Sequence, residues 1–240
     1  MLVARGDVAL LFSTRILRLF CYGFLSIVLA LYLARVGLSE GQIGILFSLT
    51  LAGDAGITLW LTTSADRFGR RRILILGAAL MLLAGIAFIF TRSPLILMAA
   101  AVLGVISPSG SEIGPFLSVE QASLSQLVPD RERTRIFAWY NVAGSFATAL
   151  GALAAGSLVG VLQARGMPVL GAYRTILTGY AAGGLILMLL FLRLSAKVEV
   201  AAQDRSKLVP TTLGLHRSRD MVMRLSALFA LDAFAGGLIL

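Results

Sequence analysis

The sequence predicts an all-α protein that crosses a lipid bilayer several times, and three observations carry that expectation. The composition is 58% hydrophobic and only 14% charged, whereas soluble domains carry about 25% charged residues. The apolar residues fall into long runs, and a helix needs roughly 20 of them to cross a hydrocarbon core about 30 Å thick. The basic residues sit mostly in the short polar stretches between those runs.

Six runs have the required length, at about residues 8–33, 43–63, 73–91, 95–128, 136–162 and 175–194. A seventh begins near Leu225 and meets the end of the 240-residue chain at Leu240. The first run exceeds the roughly 7 to 15 residues of a signal-peptide core and is expected to stay as a membrane helix. The second carries Thr50, Asp54 and Thr58 at four-residue intervals, which puts a polar stripe on one face. The third is plainly apolar. The fourth would be roughly 50 Å long as a continuous helix, so it must bend, open or protrude, and Ser107-Pro108-Ser109-Gly110 and Pro115 are natural places for that. Transporters place unwound backbone of this kind at substrate sites. The fifth run is rich in small residues, with Gly144, Gly151 and Gly156 spaced for close helix packing in lipid. The expected organisation is a six-helix bundle over 1–194, a polar and basic cytoplasmic linker over 195–223 lying against anionic headgroups, and the start of a second, truncated bundle over 224–240.

Basic residues flanking membrane helices favour the cytoplasmic side. With the N-terminus inside, the inner flanks hold Arg5, Arg15, Arg18, Arg67, the run Arg70-Arg71-Arg72, Arg131, Arg133, Arg135 and every Lys and Arg from Arg193 to Arg224. Arg35, Arg92, Arg165 and Arg174 alone are left for the outer flanks, so an N-inside orientation, in a plasma (inner) membrane, is expected. The formal charge of +9 would suggest a nucleic-acid partner in a soluble protein. Here the cations lie in interhelical loops without stacking aromatics, and nucleic acid is excluded as a partner. Cys21 and His216 are each the single residue of their type, so no internal disulfide or cysteine/histidine zinc site can be assembled. No metal and no cofactor is expected.

The most specific motif is Ala65-Asp66-Arg67-Phe68-Gly69-Arg70-Arg71-Arg72, between the second and third runs. In letters and in position it resembles the signature loop of the major facilitator superfamily, with Thr62 where that family has its leading glycine. The resemblance implies two six-helix halves that rock about a midplane site, with Asp66, Arg67, Gly69, Arg70 and Arg71 as the inner gate loop. The element Gly151-Ala-Leu-Ala-Ala-Gly156 is similar to the family's antiporter motif, but Ala152 and Ala155 replace its proline and one glycine, and packing is the reading favoured for it. The family's usual arginine in the fourth helix is Ala100 here, so no coupling role is carried onto that position.

Charge inside the membrane is the remaining signal, since an ionisable group at a helix centre costs about 2.5 to 3.5 kcal/mol on insertion scales. Asp54, Glu112, Glu120 and Asp232 are such groups. Arg15, Arg18, Tyr22 and Ser26 share a face of the first helix, and Glu120, Ser123 and Gln126 share a face of the fourth. Arg15 is expected to snorkel to the inner surface. Arg18 and Glu120 lie roughly 15 and 12 Å from the inner ends of their helices, nearly the same depth. The family fold brings those helices together, so the two are expected to pair. Arg18, Asp54, Glu112 and Glu120 are thus expected along a solute or proton path. The function expected is secondary transport of a small solute by alternating access, proton-coupled efflux being one form of it. Its partners would be the solute, protons, membrane lipid and a missing C-terminal half or second subunit. The alternatives are a non-transporting membrane scaffold and an intramembrane enzyme using Glu112 and Glu120, for which no Gly-x-Ser-x-Gly or His-Glu-x-x-His motif is present.

Overall fold

The computed structural model of the chain describes residues 2–104, 106, 110, 116–199, 221, 224–228 and 231, and for residues 2–5, 63–64 and 66–67 the backbone alone. The described residues are helical almost throughout, with no strand among them. In chain order the helices are α1 (Leu2–Val36), α2 (Glu40–Phe68), α3 (Arg70–Phe90), α4 (Pro94–Leu103), α5 (Phe116–Leu127), α6 (Asp130–Ala164) and α7 (Val169–Phe191), followed by a 3₁₀ turn at Ala196–Val198. By length and composition α1, α2, α3, α6 and α7 can each cross a membrane, and α4 is a shorter apolar helix. The chain is an all-α polytopic membrane protein. Met1–Val200 forms one compact unit and Ala201–Leu240 another.

Local chemistry sets the helix ends. After α1 the Gly37 amide donates to the Ala34 carbonyl and the Leu38 amide to the Leu33 carbonyl, a Schellman closure that needs a left-handed residue, and Gly37 has φ 108°. Ser39 then starts α2 with a capping box: its hydroxyl accepts from the Gln42 amide, while the Gln42 side chain accepts from the Ser39 amide. Gly166 repeats the Schellman closure after α6.

The fourth apolar run is two helices. α4 closes at Leu103, Ile106 and Gly110 lie outside any helix, and α5 resumes at Phe116. The breakers Ser107-Pro108-Ser109 and Pro115, and Glu112 between them, lie outside the described residues, as do Asp232, His216 and most of the expected linker. The sixth run begins earlier than expected, at Val169 directly after Pro168, so Arg174 stands inside α7 rather than in its flank.

Within the first unit α1 packs chiefly on α6 and α7, α3 on α7 and α4, and α2 on α4. Tyr32 of α1 is wholly buried and donates to the Phe88 carbonyl of α3. α2 and α6 instead keep rows of exposed apolar side chains, among them Leu49, Leu59 and Trp60 on α2 and Trp139, Phe146 and Leu153 on α6. Lipid tails are as apolar as leucine, so helices in a membrane associate through close packing rather than through hydrophobic expulsion. The α1/α6 seam shows it: a Cβ on Gly151 would overlap the Phe20 carbonyl oxygen, and one on Gly144 would lie 2.5 Å from Leu19 Cδ1. Gly156, grouped with them on spacing, does not join the seam. Five residues beyond Gly151 is roughly 140° around the helix, and a Cβ there would meet nothing within 4 Å among the described residues.

Gly151→Leu should therefore separate α1 from α6 and destabilise the protein by about 1 to 3 kcal/mol, while Gly156→Ala should be silent. Thermal unfolding in detergent, followed by fluorescence-detected size exclusion, checks the contrast. Equal melting of the two variants would show that this seam is not close-packed.

Candidate functional site

The polar face of α1 points into the bundle. Arg18 is wholly buried and meets Glu120 of α5, also wholly buried, in a two-pronged ion pair: Nη1 donates to Oε1 at 2.7 Å and Nη2 to Oε2 at 2.8 Å. The pairing expected from equal depth is thus present, and it is direct. The planar guanidinium fork matches a carboxylate in this way, where a lysine ammonium would offer a point charge.

The rest of the shell was not singled out from the sequence. The buried Tyr140 hydroxyl of α6 donates to Glu120 Oε2 at 2.5 Å. The Thr14 hydroxyl, one turn before Arg18, lies 3.2 Å from Glu120 Oε1 and 3.0 Å from the Leu11 carbonyl, and shares its one proton between them. Each carboxylate oxygen therefore faces an arginine N–H and a hydroxyl. The Arg18 guanidinium also lies over the Phe116 ring at 4.5 Å, and Phe116 stacks on Phe191 of α7. One carboxylate thereby ties α1, α5 and α6 together, with α7 one ring away. The missed signal was a tyrosine set in the small-residue stretch of an otherwise apolar run.

Arg15 does not snorkel. It is buried, with its guanidinium 4.2 Å from the Tyr140 ring centre and Nη2 donating to Asn141 Oδ1 at 3.0 Å. Ser26, further along the stripe, donates to the Gly23 carbonyl. On α2 the half-buried Asp54 accepts from Thr58 at 3.2 Å, and Thr50 returns its hydroxyl to the Leu46 carbonyl. Arg18 and Glu120 are brought together; Asp54 lies on a different helix with a local partner, and Glu112 lies outside the described residues.

A second polar cluster closes one end of the bundle. Gly69 is the single residue between α2 and α3, with φ 103°. The first amides of α3 are answered by Glu199, whose Oε2 accepts from the Arg70 amide at 2.9 Å and Oε1 from the Arg71 amide at 3.2 Å. A carboxylate at a helix N-terminus meets both unsatisfied N–H groups and the positive end of the helix dipole. A Cβ on Gly69 would come within 3.0 Å of that carboxylate, so the glycine serves the approach as well as the turn. Arg70 also donates to Gln126 of α5 at 2.9 Å, and Arg71 to the Leu192 carbonyl. Asp7 of α1 accepts from the amide and hydroxyl of Ser195. The side chains of Asp66 and Arg67 lie outside the described residues, and the acid found at this helix start is Glu199. Arg133 donates to the Ser125 carbonyl and pairs with Asp130.

Arg18→Ala leaves Glu120 charged and buried without its counter-ion and should cost about 3 to 5 kcal/mol, whereas replacing both partners, as Arg18→Met with Glu120→Leu, should recover most of that loss. Tyr140→Phe should cost about 1 to 3 kcal/mol, the range for a buried acceptor losing a donor. Melting temperatures of the four proteins in one detergent provide the check. A double variant as unstable as the single one would mean that the two charges do not depend on each other.

Residues 11–240 match the family model described as Major Facilitator Superfamily. Over 199 residues the chain is 39% identical to the Saccharomyces cerevisiae protein described as "Uncharacterized membrane protein YJR124C", a match covering 82% of this chain and 44% of that one. The chain therefore spans less than half the length of the curated relative it matches. A polytopic all-α bundle, the loop at Gly69 and a family match over nearly the whole chain agree: this chain belongs to the major facilitator superfamily.

Proposed function

We propose that the chain forms the N-terminal six-helix half of a secondary transporter that moves a small solute by alternating access, with the Arg18–Glu120 pair linking charge to helix movement. The observation that carries this reading is the fully buried two-pronged pair, which joins α1 to α5, the helix resuming after the broken stretch. Family membership points to transport rather than to enzymatic chemistry. The exposed apolar rows of α2 and α6 suit lipid tails or a second half or second subunit packed against them. In this reading residues 195–223 are the linker, 224–240 begin the second half, the membrane is the plasma (inner) membrane, and the N-terminus and the loop at Gly69 face the cytoplasm.

The chemistry follows from the balance of charge. Glu120 is faced by Arg18, Thr14, Tyr140 and, across the Tyr140 ring, Arg15. While Glu120 is ionised, the bidentate pair holds α5 against α1. Adding a proton to Glu120 removes its attraction for Arg18 in a low-dielectric interior, so the bidentate pair no longer holds α5 against α1 and the two helices are freer to part. Proton uptake thereby loosens the bundle. Asp54 and Glu112 extend the path, and Asp66, Arg67, Gly69, Arg70 and Arg71 form the gate loop, which Glu199 buttresses.

The test is proton movement in liposomes loaded with a pH-sensitive dye, read as a panel of small solutes is added to the reconstituted full-length protein. A solute that drives proton flux through the unaltered protein should drive at least about tenfold less through Glu120→Gln, which keeps the shape and removes the ionisable group. Arg18→Lys, which keeps the charge and loses the fork, should lie between them. The 240-residue chain alone should be silent. Proton flux through Glu120→Gln at the unaltered rate would sink the coupling role.

A further inference from the structure

On the face of α1 remote from the ion pair, α1, α6 and α7 leave an open groove of about 470 Å³, lined by Phe24, Leu158, Arg174, Thr178, Gly179 and Ala182 among others. At 100° per residue, Phe24 lies roughly 120° to 180° around α1 from Arg18 and Arg15. The groove is therefore separate from the buried polar interior. The small, exposed Ala182 leaves it open on the α7 side, the Phe24 ring packs against Gly179, and its floor is mostly carbon.

Arg174 is the charged side chain of this lining. Five residues past Val169, it lies roughly 8 Å along α7 from the end joined to α6, close to the depth where hydrocarbon meets headgroups. Its Nε is buried, with no hydrogen-bond acceptor within reach among the described residues. The neighbouring hydroxyls do not answer it: Thr175 and Thr178 return their protons to the Gly171 and Arg174 carbonyls along their own helix. A partly buried guanidinium at the mouth of an apolar trough is the complement of a molecule with an anionic oxygen cluster at one end and a hydrocarbon chain at the other. The volume lies in the range of small-ligand sites, about 300 to 1,000 Å³.

We propose that this groove is a phospholipid site in the leaflet on the α6–α7 side, with the lipid phosphate on Arg174 and one acyl chain lying past Gly179 and Ala182 between Phe24 and Leu158. Guanidinium and phosphate oxygens form charge-assisted bonds that a neutral headgroup cannot replace. A snorkelling arginine would instead reach for water and show no lipid preference. The lipid would wedge the outer rim of the α1/α6/α7 packing while leaving the polar interior untouched.

The experiment is native mass spectrometry of the detergent-purified protein titrated with phosphatidylglycerol or with a diacylglycerol of the same chains, which lacks the phosphate. The unaltered protein should retain one phosphatidylglycerol about tenfold more tightly than the diacylglycerol. Arg174→Ala should erase that preference. Ala182→Leu, at a position exposed on α7, should fill the trough without disturbing the bundle and weaken retention of both lipids by a similar factor. Three outcomes would each overturn the assignment: no preference in the unaltered protein, a preference that survives Arg174→Ala, or undiminished retention by Ala182→Leu.

Discussion

The bundle is organised around one fully buried carboxylate whose two oxygens must both be answered. Moving a single charge out of water costs several kcal/mol even after relaxation, and the attraction of a counter-ion offsets it only in good geometry with the remaining lone pairs occupied. Glu120 meets those terms with both prongs of Arg18, the Tyr140 hydroxyl and a share of the Thr14 proton. Each donor comes from a fixed place on α1 or α6, so satisfying the carboxylate also sets the register of α1, α5 and α6. A slip of one residue along α5 would turn Glu120 by about 100° and carry the carboxylate away from both prongs of Arg18.

That constraint explains why the fourth apolar run is not a continuous helix. α5 must present Glu120 and Ser123 to the interior while Gln126, on the same face, reaches Arg70 at the bundle end. α4 packs its own apolar surface on α2 and α3. Separating the two at Gly104 lets each take the rotation that its neighbours need. The same economy governs the seams. Where α1 and α6 run closest, backbone meets backbone across glycine, which is how helices gain dispersion energy in a solvent as apolar as themselves.

The end of the bundle is held by polar contacts of another kind. Glu199, carried on the short segment after α7, caps α3, while Ser195 engages Asp7 of α1 and Leu192 engages Arg71. Helix ends leave amides and carbonyls open, and here a stretch of chain only a few residues long answers several of them. The first compact unit therefore extends to Val200, past the end of α7.

Composition, the spacing of apolar runs and the siting of arginines were enough to read an all-α membrane protein from the sequence, and the run from Asp66 to Arg72 was enough to suggest its family. Those features are local or additive: hydrocarbon thickness prescribes helix length, and a one-residue turn prescribes glycine. Equal depth along two helices even pointed to the partnership of Arg18 with Glu120, although it needed a family's helix arrangement to supply proximity. What depth and spacing could not convey was rotation. Whether Gly156 packs or faces outward, whether Arg15 snorkels or lies on Tyr140, and whether Glu199 reaches back to the first amides of α3 all depend on which side of a helix meets which neighbour. Helix azimuth is decided by the simultaneous fit of every seam and every buried charge, an interaction among residues up to 188 positions apart in the case of Asp7 and Ser195, and so only the tertiary structure decided it.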